Sequence, residues 1–181
     1  MKEMINFQNR LKQKNMTITC AESCTGGLIA SEITAVSGSS SIFKGSIVTY
    51  SNEIKEQELN VNKQTMIDNG VVSIQVVNEM LNGVLKKFNA SIAIAVSGVA
   101  GPNGGTKDKP VGTVVIGIKD TNNYTNIQKY HFKGNRNEIQ KSAVNKVFEI
   151  IFNKFWNFFH KSLTIKLFFY IIPLTNSKRD C

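Results

Sequence analysis

The chain has 181 residues, 41% of them hydrophobic and 19% charged, with a formal net charge of +9. That composition suits one globular domain with one sizeable core and excludes a disordered or collagen-like chain. Three cysteines (Cys20, Cys24 and Cys181) and no apolar signal-like run in the first residues argue against a disulfide framework and for a cytoplasmic setting.

The charge is unevenly placed. Residues 1–120 hold 12 basic and 10 acidic side chains, and residues 121–181 hold 10 and 3. The later lysines are spread among Phe, Ile and Asn rather than clustered, which fits a solvated helix face better than a nucleic-acid patch. Cys20 and Cys24 alone make a poor metal site, since two thiols fall short of the usual ligand count. Neither a metal nor a cofactor is expected.

In chain order, Met1 to Lys14 reads as a helix with Met4, Ile5, Phe7 and Leu11 near one face. Thr17 to Cys20 reads as a short strand and Gly26 to Ala35 as a helix of small and apolar residues. A serine-rich turn follows at 37–41, then a strand over Ser46 to Tyr50. Asn52 to Asn69 is helical in pieces, broken near 60–62 and ended by Gly70. Ser73 can cap a helix whose stripe is Val77, Met80, Leu81, Val84, Leu85 and Phe88. Ile92 to Val96 and Thr113 to Ile118 are nearly unbroken apolar runs, as strands buried on both faces require. Tyr124 to Phe132 is a further strand, and a helix runs from Asn135 to about Phe159. The pattern predicts an α/β fold, a single layered domain with a mixed sheet covered by helices, over residues 1–160. Residues 161–181 form an atypical apolar and basic tail. Its longest apolar run, Leu167 to Leu174, is too short for a bilayer, which takes about 20 residues, so no membrane partner is expected.

Three segments could hold chemistry. Residues 19–27, Thr-Cys-Ala-Glu-Ser-Cys-Thr-Gly-Gly, lie where a strand opens into a helix. Backbone N–H groups there favour an anion, although a plain strand-to-helix turn reads the same. Gly38-Ser39-Ser40, Tyr50-Ser51-Asn52 and Lys55 supply a hydroxyl and a lysine able to activate it, with a tyrosine to relay the proton. A serine-rich turn, a strand tyrosine and a surface lysine fit the spacing too. The glycine-rich loop from Ser97 to Gly105, with Pro110-Val111-Gly112-Thr113, joins two buried strands and so sits at the sheet rim, where α/β sheets form ligand crevices.

These strings taken together, with Gly134 and Arg136, resemble the CinA C-terminal domain family, the PncC-type nicotinamide-nucleotide amidases, over about residues 3–150. The resemblance implies a hydrolase that converts nicotinamide mononucleotide to nicotinate mononucleotide and ammonia, typically a homodimer, with a small nucleotide as its partner; nothing in the chain resembles a nucleic-acid motif, so no nucleic-acid partner is expected. It implies Ser40 as nucleophile, with Tyr50 and Lys55 moving the proton. Substrate would be bound by Ser23, Thr25, Gly26, Gly98, Gly101, Gly105, Thr113 and Arg136, with Arg136 and the first glycine turn on the phosphate. The alternatives are a non-catalytic nucleotide-binding module and an accessory protein of competence or the DNA-damage response.

Overall fold

A computed structural model describes residues 1–168, with side chains through Lys154. The elements are α1 (Lys2–Gln13), β1 (Ile18–Glu22), α2 (Leu28–Thr34), a short 3-10 turn (Ser39–Ser41), β2 (Phe43–Val48), α3 (Asn52–Leu59), α4 (Lys63–Asn69), α5 (Ile74–Phe88), β3 (Ile92–Gly98), β4 (Thr113–Asp120), β5 (Thr125–His131) and α6 (Arg136–Phe168). The strands form one five-stranded sheet in the order β2-β1-β3-β4-β5. β1 pairs in parallel with β2 and β3, while the β3–β4 and β4–β5 pairs are antiparallel. The mixed, helix-covered α/β sheet expected from the apolar runs is therefore present.

Side-chain size alternates along the central strands, and this decides how each face is covered. Ile92, Ile94 and Val96 of β3, with Ile116 and Ile118 of β4, point into the cluster built with α1, α2 and α6. Ala93 and Ala95 point the other way, against α5. Gly117 lies on that second face too: a Cβ there would stand 2.6 Å from Val77 and 2.8 Å from Leu81. Small residues thus let α5 lie close to the sheet, while the branched residues fill the wider gap on the opposite face. The stripe expected on α5 is the one it uses, with Val77, Met80, Leu81 and Val84 buried and Ser73 accepting the Val76 N–H. On the other face Phe7 of α1 meets Phe152 of α6 edge to face, with ring centroids 5.8 Å apart.

Two boundaries differ from the sequence reading. β2 begins at Phe43 rather than Ser46, because pairing with β1 starts at Ile18 opposite Phe43. It ends before Thr49, whose N–H makes the last ladder bond, to the Glu22 carbonyl. α6 continues past Phe159 to Phe168, through the expected domain boundary. The tail's apolar block, Leu167 to Leu174, falls outside the residues whose side chains are described. Among the described residues no helix is long and apolar enough to cross a membrane.

Among the described residues the buried core ends at Ile151. A chain cut after Lys161 should therefore fold, with a thermal unfolding transition close to that of the full chain. An unfolded product would show that the last residues complete the core.

Candidate functional site

The site is laid out by strand direction. β1 is followed by β2 on one side and, later in the chain, by β3 on the other. The chain thus leaves the carboxyl ends of neighbouring strands in opposite directions and opens a crevice between them. A cleft of about 280 Å³ lies there, lined by Ser23 and Cys24 after β1, Tyr50, Asn52 and Lys55 after β2, Val71 and Val72 before α5, Ser97 to Gly101 at the end of β3, Asn103, Gly104, and Arg136 at the start of α6.

The turn after β1 is held by Glu22, a fully buried carboxylate. Its Oε2 accepts the N–H groups of Gly27 at 3.0 Å and Ile29 at 3.1 Å, and its Oε1 accepts that of Ala30 at 2.9 Å. These are the unpaired donors at the start of α2, where a negative charge is favoured. The glycine turn does bind an anion, but the anion is the protein's own carboxylate. Three of the donors that the sequence reading offered to a substrate phosphate are thus already taken by Glu22. Gly26, at φ +64°, serves the reversal of the chain and is not part of the cleft wall. Thr25 lies fully buried, outside the lining, with its hydroxyl unpartnered among the described residues.

Lys55 reaches the same place from α3. The Ser51 hydroxyl accepts the Ile54 N–H at 3.3 Å and caps the helix, so part of the Tyr-Ser-Asn string is structural. Lys55, one turn in, is 2% exposed. Its Nζ donates to the Thr49 carbonyl at 2.8 Å and stands 3.4 Å from Ser23 Oγ. Burial lowers its pKa below the ordinary lysine value, and the negative forms of Cys24 and Glu53 act weakly the other way. Cys24, also buried, is pushed up to about 12 by the same loss of water, so it stays a thiol rather than a nucleophilic thiolate.

Ser40 is elsewhere. It is an exposed residue of the 3-10 turn that precedes β2, whereas Tyr50 and Lys55 follow that strand. At about 3.3 Å per residue, β2 alone puts roughly 16 Å between the two ends. Within one chain Ser40 therefore does not meet Tyr50 and Lys55, and the serine beside Lys55 is Ser23. The relay role of Tyr50 changes with it. Its ring is exposed and its hydroxyl accepts from Arg136 Nη2 at 2.6 Å, at the mouth of the cleft.

The remaining expected residues divide. Arg136 also donates through Nη1 to the Gly101 carbonyl at 2.9 Å, and Gly98 and Gly101 line the cleft. A Cβ on Gly98 would lie 2.9 Å from Cys24 Sγ, so this glycine lets the two cleft walls approach. Gly105 and Thr113 are not in the lining: Gly105 packs under Val111, and the Thr113 carbonyl accepts the Val99 N–H. The sequence reading did not single out Glu22, Ser97 or Thr49. Ser97 is buried and donates to the Val71 carbonyl at 2.7 Å, which fixes the Val71-Val72 wall. A lone polar residue ending an apolar strand was the one available sign of it. Among the described residues no group of three His, Cys, Asp or Glu side chains is placed to hold a metal ion.

The family model of the CinA C-terminal domain matches residues 2–155, which include every element of this site. The chain belongs to that family. A CinA-like protein of Prochlorococcus marinus (strain AS9601) is 50% identical over 137 residues, covering 75% of this chain and 32% of the relative. A CinA-like protein of Thermosipho melanesiensis is 48% identical over 136 residues, covering 74% and 34%. The chain thus spans about one third of the length of the curated relatives it matches. Among solved structures, a competence damage-inducible protein of Klebsiella pneumoniae superposes with a TM-score of 0.81 at 32% identity, over 85% of this chain and 95% of that one. A competence/damage inducible protein of Agrobacterium tumefaciens gives 0.76 at 34% identity, over 82% and 93%.

The Glu22 contacts make a stability prediction for this CinA-type domain. Glu22→Gln keeps the shape but sets an amide N–H₂ against backbone donors. The loss should be about 2–3 kcal/mol, read as a lower midpoint in urea unfolding; an unchanged midpoint would show that the α2 donors are satisfied without the carboxylate.

Proposed function

We propose that the chain is an amidohydrolase acting on the primary carboxamide of a small nucleotide, nicotinamide mononucleotide, with Ser23 as nucleophile and Lys55 as its base. The observation that supports it is the 3.4 Å approach of Lys55 Nζ to Ser23 Oγ inside the cleft, at a lysine whose burial favours the neutral amine. A serine hydroxyl is a weak nucleophile until a neighbouring base takes its proton, and a desolvated lysine is one such base. The homodimer and cytoplasmic setting that go with the family resemblance are part of this proposal.

Ser23 Oγ attacks the carboxamide carbon while its proton passes to Lys55 Nζ. Backbone N–H groups of the turn that Glu22 does not hold receive the developing oxyanion. Lys55, now an ammonium, protonates the departing nitrogen, and ammonia leaves an acyl ester on Ser23. Water attacks this ester with Lys55 again as base, releasing the nicotinate nucleotide and restoring the hydroxyl. The phosphate belongs at the other end of the cleft. There Arg136 uses two of its five donors on Tyr50 and Gly101, and the rest of its fork suits phosphate oxygens.

Ammonia release from nicotinamide mononucleotide tests the assignment. Ser23→Ala should lower kcat by roughly three orders of magnitude or more, and Lys55→Arg should do the same, since arginine keeps the charge but cannot take a proton. Ser40→Ala should leave turnover largely intact. Activity lost in Ser40→Ala and kept in Ser23→Ala would return the nucleophile to Ser40.

The pH dependence follows from the same lysine. The base acts when neutral, so kcat/KM should rise with pH through the Lys55 pKa and fall as acid protonates it. Because burial lowers that pKa, the midpoint should lie below the usual lysine value of about 10.4. A rise centred at or above that value would exclude a buried, neutral base.

A further inference from the structure

A short cycle of hydrogen bonds joins nucleophile and base. The Glu22 carbonyl oxygen accepts the Thr49 N–H at 2.7 Å and the Thr49 hydroxyl at 3.2 Å. The Thr49 carbonyl in turn accepts from Lys55 Nζ at 2.8 Å, and Lys55 Nζ stands 3.4 Å from Ser23 Oγ. Ser23 is the residue bonded to Glu22, so the path closes on the peptide where it began. Thr49 is fully buried and lies one residue beyond the last pair of the β1–β2 ladder, Glu22 opposite Val48.

We propose that Thr49 is a positioning residue for catalysis: its two donors grip the carbonyl preceding Ser23 while its own carbonyl holds Lys55, so that one residue sets the distance and direction between base and nucleophile. The inference rests on the Ser23–Lys55 reading above.

Each part of Thr49 has a distinct task. A neutral lysine amine carries two N–H bonds and one lone pair. With one N–H committed to the Thr49 carbonyl, rotation about the Cε–Nζ bond is limited, and the lone pair can be presented to the Ser23 hydroxyl. That works only if the Thr49 carbonyl is itself fixed. The backbone N–H bond to Glu22 is a single tether about which the strand end can pivot. The hydroxyl bond to the same oxygen is a second tether from the same residue, and it removes the pivot. A misplacement of the order of 1 Å between catalytic groups costs about a hundredfold in rate, so loss of the second tether should be visible in kcat.

The titratable groups facing Lys55 are Cys24 in the turn and Glu53 on α3, with Tyr50 and Arg136 elsewhere in the cleft lining. A substitution at Thr49 alters none of them. Any change in the Lys55 titration therefore reports its placement. A slackened Thr49 carbonyl would let Nζ swing toward water, and its pKa would rise toward the ordinary value.

The test uses Thr49→Val, which keeps the shape without the hydroxyl, and Thr49→Ser, which restores it. Thr49→Ala replaces the valine variant should that fail to fold. Ammonia release is followed across pH, and the Lys55 ε-carbon is titrated by NMR, its resonance assigned by its loss in Lys55→Arg. The valine variant should lose roughly tenfold or more in kcat at neutral pH with KM little changed, and its Lys55 midpoint should move upward. The serine variant should recover both. A valine variant with the wild-type kcat and midpoint, or a serine variant that recovers neither, would overturn the proposal. Should the wild-type chain release no ammonia, the amidase reading fails, and the NMR midpoints in the same variants still decide whether Thr49 places Lys55.

Discussion

A carboxylate with no access to water is costly unless donors surround it. Glu22 meets that demand by taking three N–H groups from the first turn of α2, donors that would otherwise themselves be buried without partners. The two deficits cancel, and the cancellation fixes where the chain can go. α2 must begin within reach of the last residue of β1, so residues 23–27 are compressed into a tight turn with Gly26 and Gly27 at positive φ. Ser23 emerges from that turn toward the cleft. Residues on the other strands are then placed relative to it, since the Glu22 backbone carbonyl receives Thr49 and, through Thr49, orients Lys55. One residue thus acts with its side chain on the helix and with its main chain on the neighbouring strand.

The sheet supplies the rigidity this arrangement needs. β1, which ends in Glu22, is paired on both sides and buried along its whole length. Its neighbour β3 brings Ser97 and Gly98 to the same rim, and the close approach of Gly98 to Cys24 brings the two walls together. Helix α5 can press on this part of the sheet because Ala93, Ala95 and Gly117 offer it almost no side chain. A cleft formed by strand ends inherits the positional precision of the strands, whereas its outer parts, Tyr50 and the loop through Asn103 and Gly104, are exposed.

Most of the architecture could be read from the chain because its signals are local. The alternating Ile-Ala-Ile-Ala run, the stripe from Val77 to Phe88 and the serine cap at residue 73 each depend on neighbours in sequence. The site was less legible because it depends on which strand end faces which. Ser40 precedes Tyr50 by ten positions, and only the family resemblance pointed to it as the nucleophile. An intervening strand sends the two residues to opposite edges of the sheet, and spacing in sequence gives no sign of this. Ser23 and Lys55 are farther apart in the chain and meet because two parallel strands end at the same level. Glu22 was hidden for a related reason. Nothing local marks its burial, which appears only once the helix it caps is folded over it.

Parallel strands deliver every carboxyl end to one edge, so residues just after β1, β2 and β3 are gathered by topology before any side chain chooses a partner. Residues just before the strands are gathered at the opposite edge. Ser40 belongs to that second group, along with Met16 and the start of β3, where Ser91 bonds the Thr17 backbone. A nucleophile recruited from it would need either a different strand order or a second chain. Ser23 needs neither: it follows the strand whose last residue anchors the turn, and the buried lysine beside it comes from the helix after the adjacent strand. The sheet's direction, more than any single motif, thus sets Ser23 rather than Ser40 beside Lys55 within one chain, and the Thr49 carbonyl, one residue past the last β1–β2 pair, holds the lysine there.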